Sequence, residues 1–158
     1  MSQEIDRESA LNSKQVAQAI VEKLLQTDAC SAALGINVVD LDARYAVLTM
    51  KVRDDMVNGH GVCHGGMIFT LADTCSAFAC NSENESSLLS SAQIELFRPA
   101  RLGDELTATA RAVNQGRRKG VYDVSVVNQR EELVAVFRGQ SQRLGERLLE
   151  NDTDAVTD

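Results

Sequence analysis

NGHGVCHGGMIFTLADTCSAFACN, residues Asn58–Asn81, is the stretch whose reading decides the fold of this chain. From Gly65 onward it reads as a helix. Met67, Ile68, Phe69, Leu71, Ala72, Ala77, Phe78 and Ala79 leave no polar stripe, and a helix that is apolar or small on every face is expected to be buried. One charge interrupts it, Asp73. The positions three and four residues away hold Phe69, Thr70, Ser76 and Ala77, so no cation on the same helix pairs with it. A buried carboxylate without a local partner is costly, and such groups concentrate where chemistry is done. Just ahead of the helix stand both histidines of the chain, His60 and His64, and four of its ten glycines. A glycine-rich entry into a helix offers unpaired backbone N–H groups and the positive end of the helix dipole. One element therefore carries an anion-binding end and a stranded carboxylate.

Outward from this stretch, the 158 residues suit one domain with a core large enough to fold without cross-links. A formal net charge of −7 and a pI near 4.8 argue against nucleic acid or an anionic membrane as partner. The four cysteines, Cys30, Cys63, Cys75 and Cys80, show no CxxC spacing and read as reduced thiols of a cytoplasmic protein. The first residues carry Glu4, Asp6 and Glu8 and do not read as a signal or transit peptide. The helix from Gly65 to Ser82 is rich in Gly, Ala, Ser, Thr and Cys, too weakly apolar for a membrane span. A soluble protein is expected.

In chain order, residues 1–27 form a leader. Met1 to about Asn12 is expected to be frayed, and a helix follows from Ser13, its candidate N-cap, to about Gln26, with Val16, Ala17, Ile20 and Leu24 on one face. It reads as a packing helix against a sheet. Asp28 caps a short second helix ending at Gly35. Ile36–Leu41 and Arg44–Val52 form a hairpin around Asp42-Ala43-Arg44. The long helix ends near Asn81, which tolerates the left-handed conformation of a helix terminus. Strands follow at Leu88–Arg98, stopped by Pro99, then at Glu105–Val113, Val121–Asn128 and Leu133–Ser141. Residues 28–145 constitute the main domain, and 146–158 an acidic, flexible tail. One long helix with about six strands joined mostly by short turns implies an α+β fold, an antiparallel sheet wrapped on the helix.

The motif H-G-G-x-x-F-x-L-A-D-T-x-x-A-x-A-C-N-S, His64 to Ser82, resembles that of hotdog-fold acyl-CoA thioesterases, and more narrowly the PaaI-type thioesterases of phenylacetate degradation. The likeness extends from Asp28 to about Arg143 through Ala33–Ile36, Asn58–His60, Phe97–Pro99, Gly120–Asp123, Val126–Gln129 and Phe137–Gly139. The resemblance implies a hotdog fold and hydrolysis of an acyl-CoA, with a (hydroxy)phenylacetyl group as the acyl class. It also implies a homodimer with shared active sites, often paired again into a tetramer. No cofactor is implied, coenzyme A being part of the substrate.

Thioester hydrolysis passes through an oxyanion, for which a backbone N–H at a helix start is a suitable donor. Gly65 takes that role under the resemblance, because the missing Cβ admits the acyl carbonyl; Gly66 reads as a packing glycine. Asp73 is then general base or nucleophile, and a thiolate leaving group needs little help from an acid. Ala77 stands where related sites hold a water-binding Thr or Ser, so that role would pass to Thr74, Ser76 or a partner chain. Asn58 and His64 resemble the family's polar pair beside the thioester, Asn58 orienting water or acyl oxygen and His64 fixing the loop. His60 reads as structural. A metal on His60, Cys63 and His64 is disfavoured, since the flanking glycines give no rigid scaffold and no fourth ligand is evident. Adjacent side chains usually point apart, which disfavours a Cys63–His64 nucleophilic dyad. Arg117, Arg118 and Lys119, between Gly116 and Gly120, are candidates for the phosphates of coenzyme A, with Arg143 and Arg98 as further candidates; the alternative is a solvated turn. Two other functions fit the motif, a thioesterase for other aryl or medium-chain acyl-CoAs and a non-catalytic acyl-CoA-binding protein. The second would have no use for Asp73.

Overall fold

The computed structural model describes residues 11–150. Most of the N-terminal stretch expected to fray, and residues 151–158 of the expected tail, lie outside the described residues. The first helix, α1 (Ser13–Leu25), is capped by Asn12 rather than Ser13. Asn12 Oδ1 accepts the Gln15 N–H at 2.9 Å, and Gln15 Oε1 accepts the Asn12 N–H at 3.0 Å. Only position 12 has a Gln at the third helical residue, which closes this reciprocal cap. Ser13 instead donates to Asp42 Oδ1 at 2.7 Å. α2 (Ala29–Leu34) starts at Asp28 and ends at Gly35 in the left-handed region, φ 65°, as the sequence predicts.

The strands are β1 (Asn37–Asp42), β2 (Tyr45–Lys51), β3 (Ser87–Leu96), β4 (Glu105–Gln115), β5 (Lys119–Val127) and β6 (Leu133–Arg143). They form one antiparallel sheet in the order β1-β2-β4-β5-β6-β3. The long helix α3 (Gly65–Asn81) crosses one face of it. Alternate residues reach that face and are fully buried: Ala46, Leu48 and Met50 of β2, Leu106, Ala108 and Ala110 of β4, Val124 and Val126 of β5. Leu71, Ala72, Cys75, Phe78 and Ala79 of α3 pack on them. Alanines on both sides permit a close approach, so that Cys75 Sγ lies 3.4 Å from the carbonyl oxygens of Ala46 and Ala108. α1 buries Ala17, Ile20 and Val21 and packs on β1 and α3, so the leader helix is part of the same core.

Three expectations are corrected. Asn81 does not take the left-handed conformation; Asn84 does, at φ 59°. Asn81 remains helical because its buried amide ties α3 to β3: Oδ1 accepts the Ser87 N–H at 2.8 Å, and Nδ2 donates to the carbonyls of Ala77 (2.8 Å) and Ser87 (3.1 Å). Nor is α3 buried on every side. Gly66, Thr70, Asp73 and Ala77, spaced three and four apart, form a face that the sheet leaves partly open, because the sheet lies on one side only. Finally, the tail is not loose at 146. Asn84 Oδ1 accepts the N–H groups of Leu148 (3.0 Å) and Leu149 (2.8 Å), Nδ2 donates to the Leu149 carbonyl, and Leu149 is buried.

Asn84 therefore holds the C-terminal segment by three bonds while occupying a backbone region that disfavours side chains. Asn84→Ala is expected to lower stability by about 2–4 kcal/mol through unpaired Leu148 and Leu149 backbone groups and the left-handed strain. Asn84→Gly, which removes only the bonds, should recover about 1 kcal/mol of that loss. Urea denaturation of both variants checks this; an Asn84→Ala midpoint equal to wild type would show the tail does not depend on Asn84.

Candidate active site

The loop before α3 is organised by backbone bonds. Asn58 Oδ1 accepts the N–H groups of His60 (2.9 Å) and Val62 (3.4 Å), and the Asn58 N–H donates to the Val62 carbonyl at 2.8 Å. These donors fix which end of the amide is oxygen. The Asn58 amide nitrogen has no acceptor among the described residues, so this side chain has a donor left to offer. His64 is the helix N-cap: its Nδ1 accepts the Gly66 N–H at 3.3 Å, and its carbonyl accepts the Met67 N–H at 2.9 Å. Gly65 N–H has no acceptor among the described residues. Capping thus singles out Gly65 as the open donor at the positive end of the dipole. A Cβ at Gly65 would stand 3.0 Å from Leu96 Cδ1, which places the helix start beside the end of β3.

His60 is exposed. Cys63 is buried while His64 is exposed, so the two side chains do not form a dyad, and burial pushes the Cys63 thiol up to about 11. Among the described residues no group of three or more His, Cys, Asp or Glu is placed to hold a metal ion.

Asp73 lies at the other half of α3. It lines a groove of about 330 Å³ with Ser76, Ala77, Cys80, the β3 residues Ser87, Leu88 and Leu89, and Ser141 of β6. Its carboxylate has neither a hydrogen bond nor an ion pair among the described residues, and burial alone raises its pKa above the ordinary aspartate value. An under-solvated, unpaired carboxylate is a stronger base than a solvated one. Of the residues to which the water-holding role could pass, Ser76 lines the groove and Thr74 does not. Sequence reasoning missed Ser141 and Leu88–Leu89. The only trace of Ser141 is a polar residue at an inward position of β6, two past Gly139.

Arg117 and Arg118, from the β4–β5 turn, and Arg143, the last residue of β6, come together around a second pocket of about 500 Å³ with Glu85 and Gln142. The Arg118 carbonyl accepts the Arg143 N–H at 2.8 Å. Arg143 Nη2 lies 3.4 Å from Glu83 Oε2, and its Nε is buried without a partner among the described residues. Lys119 opens β5 beside this pocket without lining it. Arg98 is elsewhere, 3.6 Å from Glu132 at the β5–β6 turn. A larger groove, about 580 Å³, crosses the sheet face away from α3 at Gln93, Val136 and Arg138 and holds none of these groups.

The raised pKa of Asp73 fixes two signs. A base that must be ionised gives kcat/KM an acid limb above the ordinary aspartate pKa. The folded protein also binds this proton more tightly than the unfolded chain. The stability so gained is present below the unfolded pKa and is lost as pH rises through the folded value. Asp73→Asn is therefore expected to lower kcat by about 10²–10⁴-fold while raising Tm at pH 7, with the Tm gain shrinking at acid pH. Rates and thermal scans from pH 3 to 8 check it; wild-type turnover in the variant would remove Asp73 from the chemistry.

Comparison with known proteins agrees with this geometry. Residues 60–135 match the family model described as the thioesterase superfamily. The acyl-coenzyme A thioesterase PaaI of Escherichia coli is 48% identical over 122 residues, covering 77% of this chain and 87% of that one. The solved structure of the E. coli PaaI protein from the phenylacetic acid degradation operon superposes with a TM-score of 0.85 at 44% identity, covering 86% of this chain and 99% of the other. A hypothetical thioesterase of Streptococcus pneumoniae, solved with coenzyme A, superposes with a TM-score of 0.74 at 30% identity over 79% of this chain and 98% of that chain. Together with the HGG-to-Asp73 helix and the sheet wrapped on it, these likenesses establish that the chain belongs to the hotdog-fold thioesterase superfamily, in its PaaI-type branch.

Proposed function

We propose that this thioester hydrolase cleaves acyl-CoA thioesters whose acyl group is a ring-hydroxylated phenylacetyl, releasing the free acid and coenzyme A within phenylacetate catabolism. The observation that carries the chemistry is the unpaired Asp73 carboxylate in its groove. The acyl class is supported by the likeness to E. coli PaaI, and the coenzyme by the CoA-bound S. pneumoniae relative. Asp73 activates a water or attacks the thioester carbonyl itself; both roles need its ionised form. The carbonyl oxygen, charged in the tetrahedral intermediate, is received by the Gly65 N–H, with the Asn58 amide as a second donor. Collapse of the intermediate expels the CoA thiolate, which needs no strong acid at neutral pH. Arg117, Arg118 and Arg143 receive the phosphates. Lys119 adds positive charge at the rim. Release of thiol from a panel of aryl and aliphatic CoA esters tests the substrate class.

One carbonyl cannot touch both ends of one helix. Gly65 and Asp73 are eight residues apart, about 12 Å along the axis, whereas reacting groups must come within roughly 3–3.5 Å. The edge strand β3 supplies the remedy. Its outer side is unpaired in the sheet, and Leu88, Leu96 and Phe97 along it are more than half exposed. Gly65 sits at its Leu96 end and Asp73 at its Leu88–Leu89 end. Antiparallel pairing of β3 with its copy about the strand midpoint lays the Leu96 end of one subunit beside the Leu88 end of the other. Gly65 of one chain then meets Asp73 of its partner, the open Gly66–Ala77 face of α3 is covered, and two equivalent sites form. Further pairing of such dimers into a tetramer is the assembly implied by the family.

Two measurements follow from this reading. Reversing charge at Arg117 and Arg118 is expected to raise KM about tenfold for a CoA thioester and little for the matching pantetheine thioester; equal effects would separate the basic turn from the nucleotide. Asp73→Ala mixed with a variant disabled at the Asn58–Gly65 loop is expected to regain activity, because in the mixed dimer one site collects both lesions and the other none. Co-expression with two tags isolates that heterodimer. About half the wild-type rate per dimer is expected, and no recovery at all would place Gly65 and Asp73 in one chain's site.

A further inference from the structure

We propose that Ser141 is a specificity-determining residue, its hydroxyl forming a hydrogen bond with a polar substituent on the acyl group, such as a hydroxyl carried by an aromatic ring. This rests on the reading of the Asp73 groove as the acyl site. Ser141 lies on β6, across from Leu89 of β3 and Gly120 of β5, and its side chain enters the groove that Asp73 lines. The residue is 2% exposed, and its Oγ has no hydrogen-bond partner of good geometry among the described residues. The Cys80 thiol is close enough to Ser141 to interact with it, but burial pushes its pKa up to about 12, so it stays neutral and offers that hydroxyl only a weak sulfur acceptor. A buried hydroxyl left unpaired is unfavourable and is rare in native interiors. A ligand group that completes its bonding accounts for it.

Two neighbouring glycines keep space beside it. A Cβ at Gly120 would stand 2.8 Å from Ser141 Oγ, and one at Gly139 would stand 2.9 Å from Leu89 Cδ1 and 3.2 Å from Ser76 Oγ. The groove thus has apolar walls in Ala77, Leu88 and Leu89 and a floor of hydroxyls. Its volume of about 330 Å³ is at the small end for ligand pockets and suits a compact acyl group rather than a long chain. A purely aliphatic chain would also leave the Ser141 hydroxyl without a partner. Depth assigns the two ends of the substrate. Arg117 and Arg118 are exposed, Asp73 is half-buried, and Ser141 is deepest. From a carbonyl held at Asp73 the coenzyme runs outward to the arginines, and the acyl group is the part that runs inward.

The test compares phenylacetyl-CoA with its ring-hydroxylated meta and para counterparts as substrates of wild type and Ser141→Ala. A site that hydrogen-bonds a substrate hydroxyl discriminates against the analogue lacking it. The wild type is expected to favour a hydroxylated substrate in kcat/KM, and Ser141→Ala to reduce that preference about tenfold. In the same variant, Tm of the ligand-free protein should be unchanged or higher, since the lost hydroxyl had no partner. A preference unchanged by Ser141→Ala, with both substrates turned over, overturns the role of Ser141 and leaves the thioesterase reading intact. Equal loss on both substrates assigns the hydroxyl to the coenzyme arm or to a general structural role and also overturns it, as does a lowered Tm. Absence of turnover with every arylacetyl-CoA overturns the substrate reading on which the proposal rests.

Discussion

The close contact of α3 with the sheet governs the rest of this structure. Ala72, Cys75 and Ala79 on the helix meet Ala46, Ala108 and Ala110 on the strands, and small residues on both sides bring the helix axis near the backbone of β2 and β4. Close packing of this kind tolerates little change of volume. It fixes the rotation of α3, and with it the direction in which every other side chain points. Asp73 is turned away from the sheet centre toward the β3 edge, where the sheet no longer covers it. The same rotation sends Phe69 against Phe137, ring centroids 5.3 Å apart in an edge-on contact, which anchors the helix start near β6.

Much of this was legible in sequence because the informative residues break a pattern. Asp73 is the one charge in an apolar helix. Gly65 opens that helix out of a glycine-rich stretch. Period-two alternation marks β2, β4 and β5, where Ala46, Leu48 and Met50 or Tyr122, Val124 and Val126 take turns with half-exposed or exposed neighbours. Long-range placement was not legible. Ser141 is an ordinary serine until the β5–β6 and β3–β6 registers carry it under Asp73. Arg143 and Arg98 are equal further candidates in the sequence until the backbone bond from Arg143 to Arg118 sets one beside the basic turn and the other lies by Glu132. Asn81 was misread for a related reason: its type allows a left-handed helix end, but tertiary bonds to Ser87 decide otherwise. Local propensity yields when a buried amide finds several partners elsewhere.

The open face of α3 resolves an apparent conflict between pattern and structure. A helix with no polar stripe is expected to be enclosed, yet the sheet encloses only part of it. Gly66, Thr70, Asp73 and Ala77 on the uncovered side are small or short, so a second surface can approach as closely there as the sheet does on the first. Edge strands with exposed apolar residues and unpaired backbone groups seldom remain free. Both features lie along the same border of the molecule, between α3 and β3. A sequence written for enclosure on every side is consistent with a helix whose second wall belongs to another subunit.

Electrostatics gives the site a direction. The chain is acidic overall, with net charge −7, which by itself would repel a phosphate-rich substrate. Arg117, Arg118 and Arg143 gather on one pocket, while the neighbouring acids Glu83 and Glu85 leave the Arg143 Nε without a bond. Under the proposed function a nucleotide would be drawn to one place on a surface that disfavours it elsewhere, a contrast that selects position as well as affinity. Asp73 is one fixed negative charge near that path, and its raised pKa comes from burial rather than from a neighbouring acid. The carboxylate is therefore basic because it is poorly solvated, and a bound acyl group that displaces further water would deepen the same effect. Under the proposed function, substrate binding and activation of the base would in that way be one event on α3.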